Sequence, residues 1–335
     1  MHINSIITQR KLRDFVFFHL VYEWEDIFSE KLQIPLLYET QVQFWVNKIC
    51  GKIGLRLPFQ KKNNLKYKFY FDMYVRFSPD KFSQNDIIPA IVDFYVLESE
   101  LPTFYKSYHS NPFILISSME AMHFLKEKKC PLKYYHFPLS LSDKYRITGK
   151  EIIVKKWDLV LIGRPNPVLN EFLNIYCQKY PDFIYVYRKY VNNADGKYWS
   201  YFTNRGESLG DFDSRESYMN LSRQAKVGFY STPGIDGDEI RTKGFSQVTP
   251  RFLELIASGC HIIARYQNNA DTDFYKLNDF CPSIETYEQF ETQLNHSLTS
   301  EVPIQKYVNY LNEHYASNRT KLLNDIVNSY ILEHK

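Results

Sequence analysis

Thr249-Pro250-Arg251-Phe252-Leu253-Glu254-Leu255-Ile256-Ala257-Ser258-Gly259-Cys260-His261-Ile262-Ile263-Ala264 reads as a short helix with both ends marked, running straight into a buried strand. Thr249 suits an N-cap, and Pro250 suits the first helical position, where a missing N–H costs nothing. Gly259 supplies the left-handed residue that stops the helix. His261 to Ala264 is a short apolar run of strand type. Phe252, Leu255, Ile256 and Gly259 recur at helical spacing and can pack on a sheet. Arg251, Glu254 and Ser258 fall on another face. A charged group at a helix start beside a parallel sheet is a common grip for a phosphorylated ligand.

Apolar strand-like runs alternate with longer helical patterns on both sides of this segment, which predicts parallel α/β architecture. In the first half the predicted strands are Phe15 to Leu20, Tyr67 to Phe77, Ile87 to Val96, Phe113 to Ser117 and Tyr134 to Pro138. Helices are expected over Glu23 to Leu32 and Met119 to Lys128. Asp143 to Lys156 is polar and contains Gly149, and reads as a linker. The second half opens with the strand Trp157 to Ile162 and the helix Val168 to Tyr180. The strand Phe183 to Tyr187 follows, then a long irregular loop over Asn192 to Asp213. Glu216 to Gln224 reads as a helix and Val227 to Ser231 as a strand. A second long loop covers Gly234 to Gln247. After the opening segment come a helix over Thr286 to Ser297 and a helix-rich tail from Val302 to His334. Loops longer than about 12 residues inside a compact domain are usually functional or disordered.

The run "RFLELIASGCHIIA" resembles the nucleotide-sugar helix of group 1 glycosyltransferases of the GT-B fold. The resemblance implies two Rossmann-like α/β domains facing across a cleft: 1–148 on the acceptor side, 149–310 on the donor side, and a helix over 311–335 returning to the first domain. It implies a glycosyltransferase that moves a sugar from a nucleotide-sugar donor to a glycan or lipid-linked oligosaccharide of the cell surface, such as lipopolysaccharide, capsule or O-antigen. Glu254 would then hydrogen-bond the donor ribose. Many members carry a second Glu eight residues earlier, where this chain has Ser246, so retention of stereochemistry does not carry over. Thr249, Arg251 and Gly259 are similar as well to the Thr-x-(Lys/Arg) and small-Gly pattern of inverting fucosyltransferases. A two-lobed sugar- or nucleotide-binding protein without catalysis is the alternative from another class.

A departing diphosphate must be neutralised by a metal or by cations and helix dipoles. Asp211 and Asp213 have metal-like spacing but follow no strand, so no metal and no cofactor is expected. Cationic candidates are better represented. Gly163-Arg164 in "LIGRPNP" resembles the Gly-Arg that opens the family's donor domain, where the Arg contacts phosphates. Arg241 and Lys243 lie in the second long loop. Arg251, in the first turn of its helix, is disfavoured by the helix dipole unless an anion or Glu254 is near. Ser231 and Arg188 end strands of this half, and Thr249 completes the donor set. On the acceptor side, candidate bases are His19, Glu23, Asp93 and Glu120 at strand–helix junctions. Each has a plainer reading: His19 as a core histidine, Glu23 as a helix-start carboxylate. No G-x-S-x-G elbow and no G-x-G-x-x-G turn follows a strand, which argues against a serine hydrolase and a dinucleotide fold.

Composition bounds these readings. The 335-residue chain is 44% hydrophobic and 24% charged with a net charge of +3, a globular profile that gives no argument for a nucleic-acid partner. Its aromatic content of 17% fits a Lys/Asn/Tyr/Ile-rich coding bias. The five cysteines are scattered without CxxC spacing, which suggests neither a disulfide framework nor a zinc site. No secretory leader is read at the N-terminus, and no run approaches the roughly 20 apolar residues of a membrane helix. The expectation is a cytoplasmic protein, with peripheral contact at the inner membrane admitted by Lys61, Lys62, Lys66, Lys68 and Arg76 among their aromatic neighbours.

Overall fold

The computed structural model describes residues 2–13, 15–38, 42, 45–46, 49, 66–151, 153–193, 196–211, 214–237 and 239–334. The chain divides into two compact units: Met1–Asp143 with His314–Lys335, and Lys144–Glu313. Each is built on its own six-stranded sheet.

In the first unit the strands are β1 (Ile3–Thr8), β2 (Leu36–Tyr38), β3 (Tyr67–Tyr74), β4 (Ile87–Asp93), β5 (Ile114–Ile116) and β6 (Tyr134–His136). They lie in the order β2-β1-β3-β4-β5-β6, and every pairing is parallel. A parallel sheet covered on both faces needs near-continuous apolar strands. Accordingly Ile87 to Val92 is buried at every position. The connecting helices are α1 (His19–Leu32), α2 (Leu101–Tyr108) and α3 (Met119–Glu127).

The first strand is not where the sequence places it. Phe15 to Leu20 forms a short 3-10 turn (Val16–Phe18) that leads into α1. The helix buries a stripe through Val21, Glu25, Phe28 and Leu32, spaced by helical turns, with Leu20, Tyr22 and Trp24 buried beside it. The opening strand is Ile3–Thr8, whose register against β3 pins Ile6 opposite Phe69.

The second unit carries β7 (Trp157–Leu161), β8 (Tyr185–Asn193), β9 (Gly196–Thr203), β10 (Ser208–Asp211), β11 (Ala225–Ser231) and β12 (His261–Arg265). Their order is β10-β9-β8-β7-β11-β12. β8, β7, β11 and β12 are mutually parallel, while β8, β9 and β10 form an antiparallel extension. The helices are α4 (Pro167–Lys179), α5 (Arg215–Arg223), α6 (Glu239–Thr242), α7 (Arg251–Ala257), α8 (Ala270–Phe274), α9 (Leu277–Phe280), α10 (Tyr287–Thr299) and α11 (Ile304–Leu311). One buried cluster, including Leu159, Leu173, Phe183, Val227, Ile263 and Phe290, ties α4 and α10 to the sheet.

The hairpin corrects the expected irregular loop over 192–213. Tyr198 to Phe202 is strand-type sequence, and its pairing partner Tyr187 to Val191 lies just upstream. Polar residues around the turns hid it. Asp213 lies outside the described residues.

The segment quoted first folds as read except at its start, where Pro250, not Thr249, takes the N-cap position and no side chain caps the helix. α7 begins at Arg251, one residue after Pro250, and the N–H of Glu254 reaches the Pro250 carbonyl at 3.0 Å. Gly259 (φ +60°) closes it. The N–H of Cys260 bonds the Leu255 carbonyl at 3.2 Å and that of Gly259 bonds Ile256 at 3.0 Å, the paired pattern of a Schellman stop. β12 follows at once, parallel to β11. α7 packs so closely on β11 that a Cβ at Gly228 would come within 2.4 Å of Leu255 Cδ2.

The tail ends in α12 (Ala316–Glu333), which packs on α1 within the first unit. Asp143 holds its start, accepting from the Ser317 N–H at 2.9 Å and hydroxyl at 2.6 Å. The buried Arg319 donates to the carbonyls of Pro138 and Leu139. No helix among the described residues is long and apolar enough to cross a membrane.

Candidate functional site

In the second unit the chain leaves β7 on one side for β8 and later returns on the other for β11. The carboxyl ends of β7 and β11 therefore flank the point where the strand order reverses, which is where open α/β sheets bind ligands. A cavity of about 340 Å³ lies there.

Its walls come from four pieces of local structure. After β7 the backbone turns at Gly163 (φ +127°), a conformation that side chains avoid. Asn166 then caps α4, its Oδ1 accepting from the Leu169 N–H at 2.9 Å, with Pro167 at the first helical position. Leu161, Leu169, Leu173, Tyr185 and Phe229 make an apolar floor. Gly163, Arg164, Asn166, Asn170 and Ser231 contribute polar rim. Arg188 and Trp199, from β8 and β9, form one wall, with the guanidinium 4.6 Å from the indole ring centroid. Arg251, from the first turn of α7, forms another. Its guanidinium occupies the space beside Gly163, so that a Cβ there would fall 1.2 Å from Nη2.

The electrostatics are one-sided. Among the described residues, three arginines and no carboxylate line the cavity. Neither Arg188 nor Arg251 has an ion pair among the described residues. Burial, and then the like charge of Arg251, push the Arg188 guanidinium below its ordinary range. Two cations held close in a partly dry site favour an anion between them.

The neighbouring carboxylates are committed elsewhere. Asp236 accepts from Arg265 at 2.6 and 2.8 Å and from Asn166 Nδ2 at 2.7 Å. Burial would raise its carboxyl, but the Arg265 and Asn166 bonds bring it below the usual value. Glu254 is buried and accepts from Arg215 at 2.7 Å and from the Tyr218 hydroxyl at 2.6 Å. The alternative partner for Arg251, its own helix's Glu254, is thus taken by Arg215. Glu254 does not line the cavity.

Of the donor-side residues read from sequence, Gly163, Arg164, Arg188, Ser231 and Arg251 converge on the cavity. Thr249 precedes α7, with its N–H donating to the Tyr230 hydroxyl at 3.1 Å. Arg241 is exposed on α6, and Lys243 follows it in left-handed backbone (φ +56°); neither lines the cavity. Ser246 is buried against the Thr232 hydroxyl at 2.7 Å.

The acceptor-side candidates are spread over three elements. His19 opens α1, with Glu23 one turn on; Asp93 ends β4, and Glu120 lies in the first turn of α3. The expected basic face changes character. Lys68 is buried against Asp86 at 2.8 Å, and Arg76 is held by Asp72 at 2.7 Å and by Asp80. Lys61 and Lys62 lie outside the described residues. Among the described residues no group of three or more His, Cys, Asp or Glu could hold a metal ion.

Sequence reasoning missed Asn166, Trp199 and the tyrosines of β8. Asn166 was legible as a cap before Pro167. Trp199 was not, because only the hairpin brings it back over Arg188.

No family model and no curated protein sequence matches the chain. Among solved structures it is similar to the glycotransferase of kitacinnamycin, at 11% identity and a TM-score of 0.46, covering 97% of this chain and 99% of that one. It is similar to UDP-GlcNAc 2-epimerase from Methanocaldococcus jannaschii at 10% identity and a TM-score of 0.47, covering 98% and 100%. It is likewise similar to S. aureus MnaA in complex with UDP, at 10% identity and a TM-score of 0.45, covering 98% and 96%.

Proposed function

We propose that the chain is a nucleotide-sugar enzyme of GT-B type that transfers a glycosyl group without a metal. The reading rests on one observation: a cavity at the sheet's switch point lined by three arginines and, among the described residues, no carboxylate, with an aromatic wall. A nucleoside diphosphate matches that chemistry. Its pyrophosphate takes Arg164, Arg188 and Arg251, and its planar base takes the tyrosine and tryptophan side.

As the glycosidic bond breaks, negative charge grows on the diphosphate. Arginines fixed before the reaction stabilise that charge at little reorganisation cost. The acceptor is a glycan or lipid-linked oligosaccharide of the cell surface, handled at the cytoplasmic side. Its hydroxyl gives up a proton to a base of the first unit, with His19, Glu23, Asp93 and Glu120 as the candidates. Ribose contact by Glu254 is not part of this proposal, because its carboxylate is already satisfied by Arg215 and Tyr218.

The test is turnover across a panel of UDP-, GDP- and CMP-sugars with cell-envelope acceptors. Release of the nucleoside diphosphate, or of CMP from a CMP-sugar, with the sugar on the acceptor supports transfer. Interconversion of the sugar nucleotide itself would replace transfer by epimerisation. Purified chain that neither binds nor turns over any member would end the reading.

A further inference from the structure

We propose that the loop joining β1 to α1 docks the protein on an anionic lipid bilayer, with Phe15 and Phe17 at the acyl boundary and Lys11 and Arg13 among the headgroups. The two phenylalanines are adjacent in space and exposed, 60% and 50% respectively, with ring centroids 5.8 Å apart and nearly parallel planes. An isolated exposed apolar residue is ordinary; a stacked pair at a loop tip is not.

The pair is rigidly rooted. Phe17 meets the buried Phe18 at 4.4 Å between ring centroids, and Phe18 in turn stacks on Tyr22 of α1 at 6.4 Å. The Tyr22 hydroxyl donates to the Arg13 carbonyl at 2.6 Å, and the Gln9 carbonyl accepts from the N–H groups of Leu12 and Arg13. The rings are thus anchored through Phe18 and Tyr22 to α1.

The loop's cations are held ready for an external anion. Arg10 is used internally, bound to Glu25 at 3.1 Å and Asp26 at 2.8 Å. Lys11 and Arg13 have no carboxylate partner among the described residues. They lie over aromatic rings, Lys11 4.5 Å from the Tyr38 centroid and Arg13 5.6 Å from that of Phe18. The same unit also exposes Val42, Trp45 and Ile49 shortly after β2. Phenylalanine has no hydroxyl or N–H, so this surface offers a sugar few hydrogen bonds, whereas lipid needs none. Cations flanking apolar insertion match an anionic leaflet. The proposal deepens the lipid-linked acceptor of the proposed function and draws its biological sense from that reading.

Co-sedimentation of the full chain with phosphatidylglycerol–phosphatidylcholine vesicles, against phosphatidylcholine alone, tests it without any donor or acceptor. Binding should require the anionic lipid and weaken with salt. Phe15→Ser with Phe17→Ser should lower the partition coefficient about tenfold or more. Lys11→Gln with Arg13→Gln should lower it roughly fivefold per charge and flatten the salt dependence. Nucleoside diphosphate affinity should stay unchanged in both, which separates this surface from the cavity. Phe15→Trp should add emission that shifts to the blue when vesicles are added. Absent vesicle binding, unchanged binding by the double Phe variant, no blue shift in the Phe15→Trp variant, or loss of a dimer in the double Phe variant would each overturn the proposal.

Discussion

Gly163 and Arg251 are far apart in the chain and share one small volume. The guanidinium fits because residue 163 has no side chain. Gly163→Ala should therefore push Arg251 out of the cavity and strain a backbone at φ +127°. Nucleoside diphosphate affinity, measured by calorimetry, should fall about tenfold or more, in line with losing one charge-assisted hydrogen bond. Unchanged affinity would place Arg251 outside the binding set. At Glu254 the sequence suggested a ribose contact, whereas the structure encloses the carboxylate with Arg215, whose side chain is 11% exposed. Glu254→Ala should thus act on stability, removing the buried carboxylate that Arg215 and the Tyr218 hydroxyl share, at a cost of about 3 kcal/mol. Urea unfolding reads this directly. Single residues with intrinsic signatures were legible: Gly259 as a stop, Gly163-Arg164 as a turn with a cation. Partnerships were not, because Arg215 and Trp199 gain their meaning only from neighbours distant in sequence.

The α7–β12 element was the most readable part of the chain, since its caps and apolar period are local properties. Its close packing on β11 was less so. Gly228 looks like an ordinary strand glycine, but a Cβ there would meet Leu255 at 2.4 Å. Gly228→Val should lift α7 and cost about 1–3 kcal/mol by overpacking. A variant as stable as wild type would mean the helix yields freely. Two elements were misread for opposite reasons. Phe15 to Leu20 is apolar enough for a strand, but it runs straight into α1, whose buried stripe through Val21, Glu25, Phe28 and Leu32 has a helical period. The β9–β10 hairpin is polar enough for a loop, but antiparallel pairing with β8 fixes it. Local composition underdetermines structure where long-range pairing supplies the stabilisation.

At the scale of the molecule, two α/β units were legible from the alternation of strand and helix patterns. The contact boundary falls at Asp143 and again at His314, near the polar stretch and the tail that the sequence marks. A global pH signature follows from the first unit. Burial pushes the Glu25 carboxyl up to about 7, with Thr8 and Arg10 drawing it back. A carboxyl raised in the folded state binds more protons there than when unfolded. Its contribution is most favourable below the unfolded value of about 4.3 and is lost as pH rises through about 7. Between about pH 4.3 and 7 the wild type should therefore lose stability relative to Glu25→Gln, as read by urea midpoints. Parallel curves for the two proteins would contradict that environment.

The central claim is that the second unit grips the pyrophosphate of a nucleotide through Arg188 and Arg251. Calorimetric titration of nucleoside diphosphate and of the parent nucleoside, into wild type and into Arg188→Gln with Arg251→Gln, tests it most directly. The account expects the variant to bind the diphosphate about a hundredfold more weakly, with nucleoside affinity nearly unchanged. Equal losses for both ligands, or no diphosphate binding by the wild type, would contradict it.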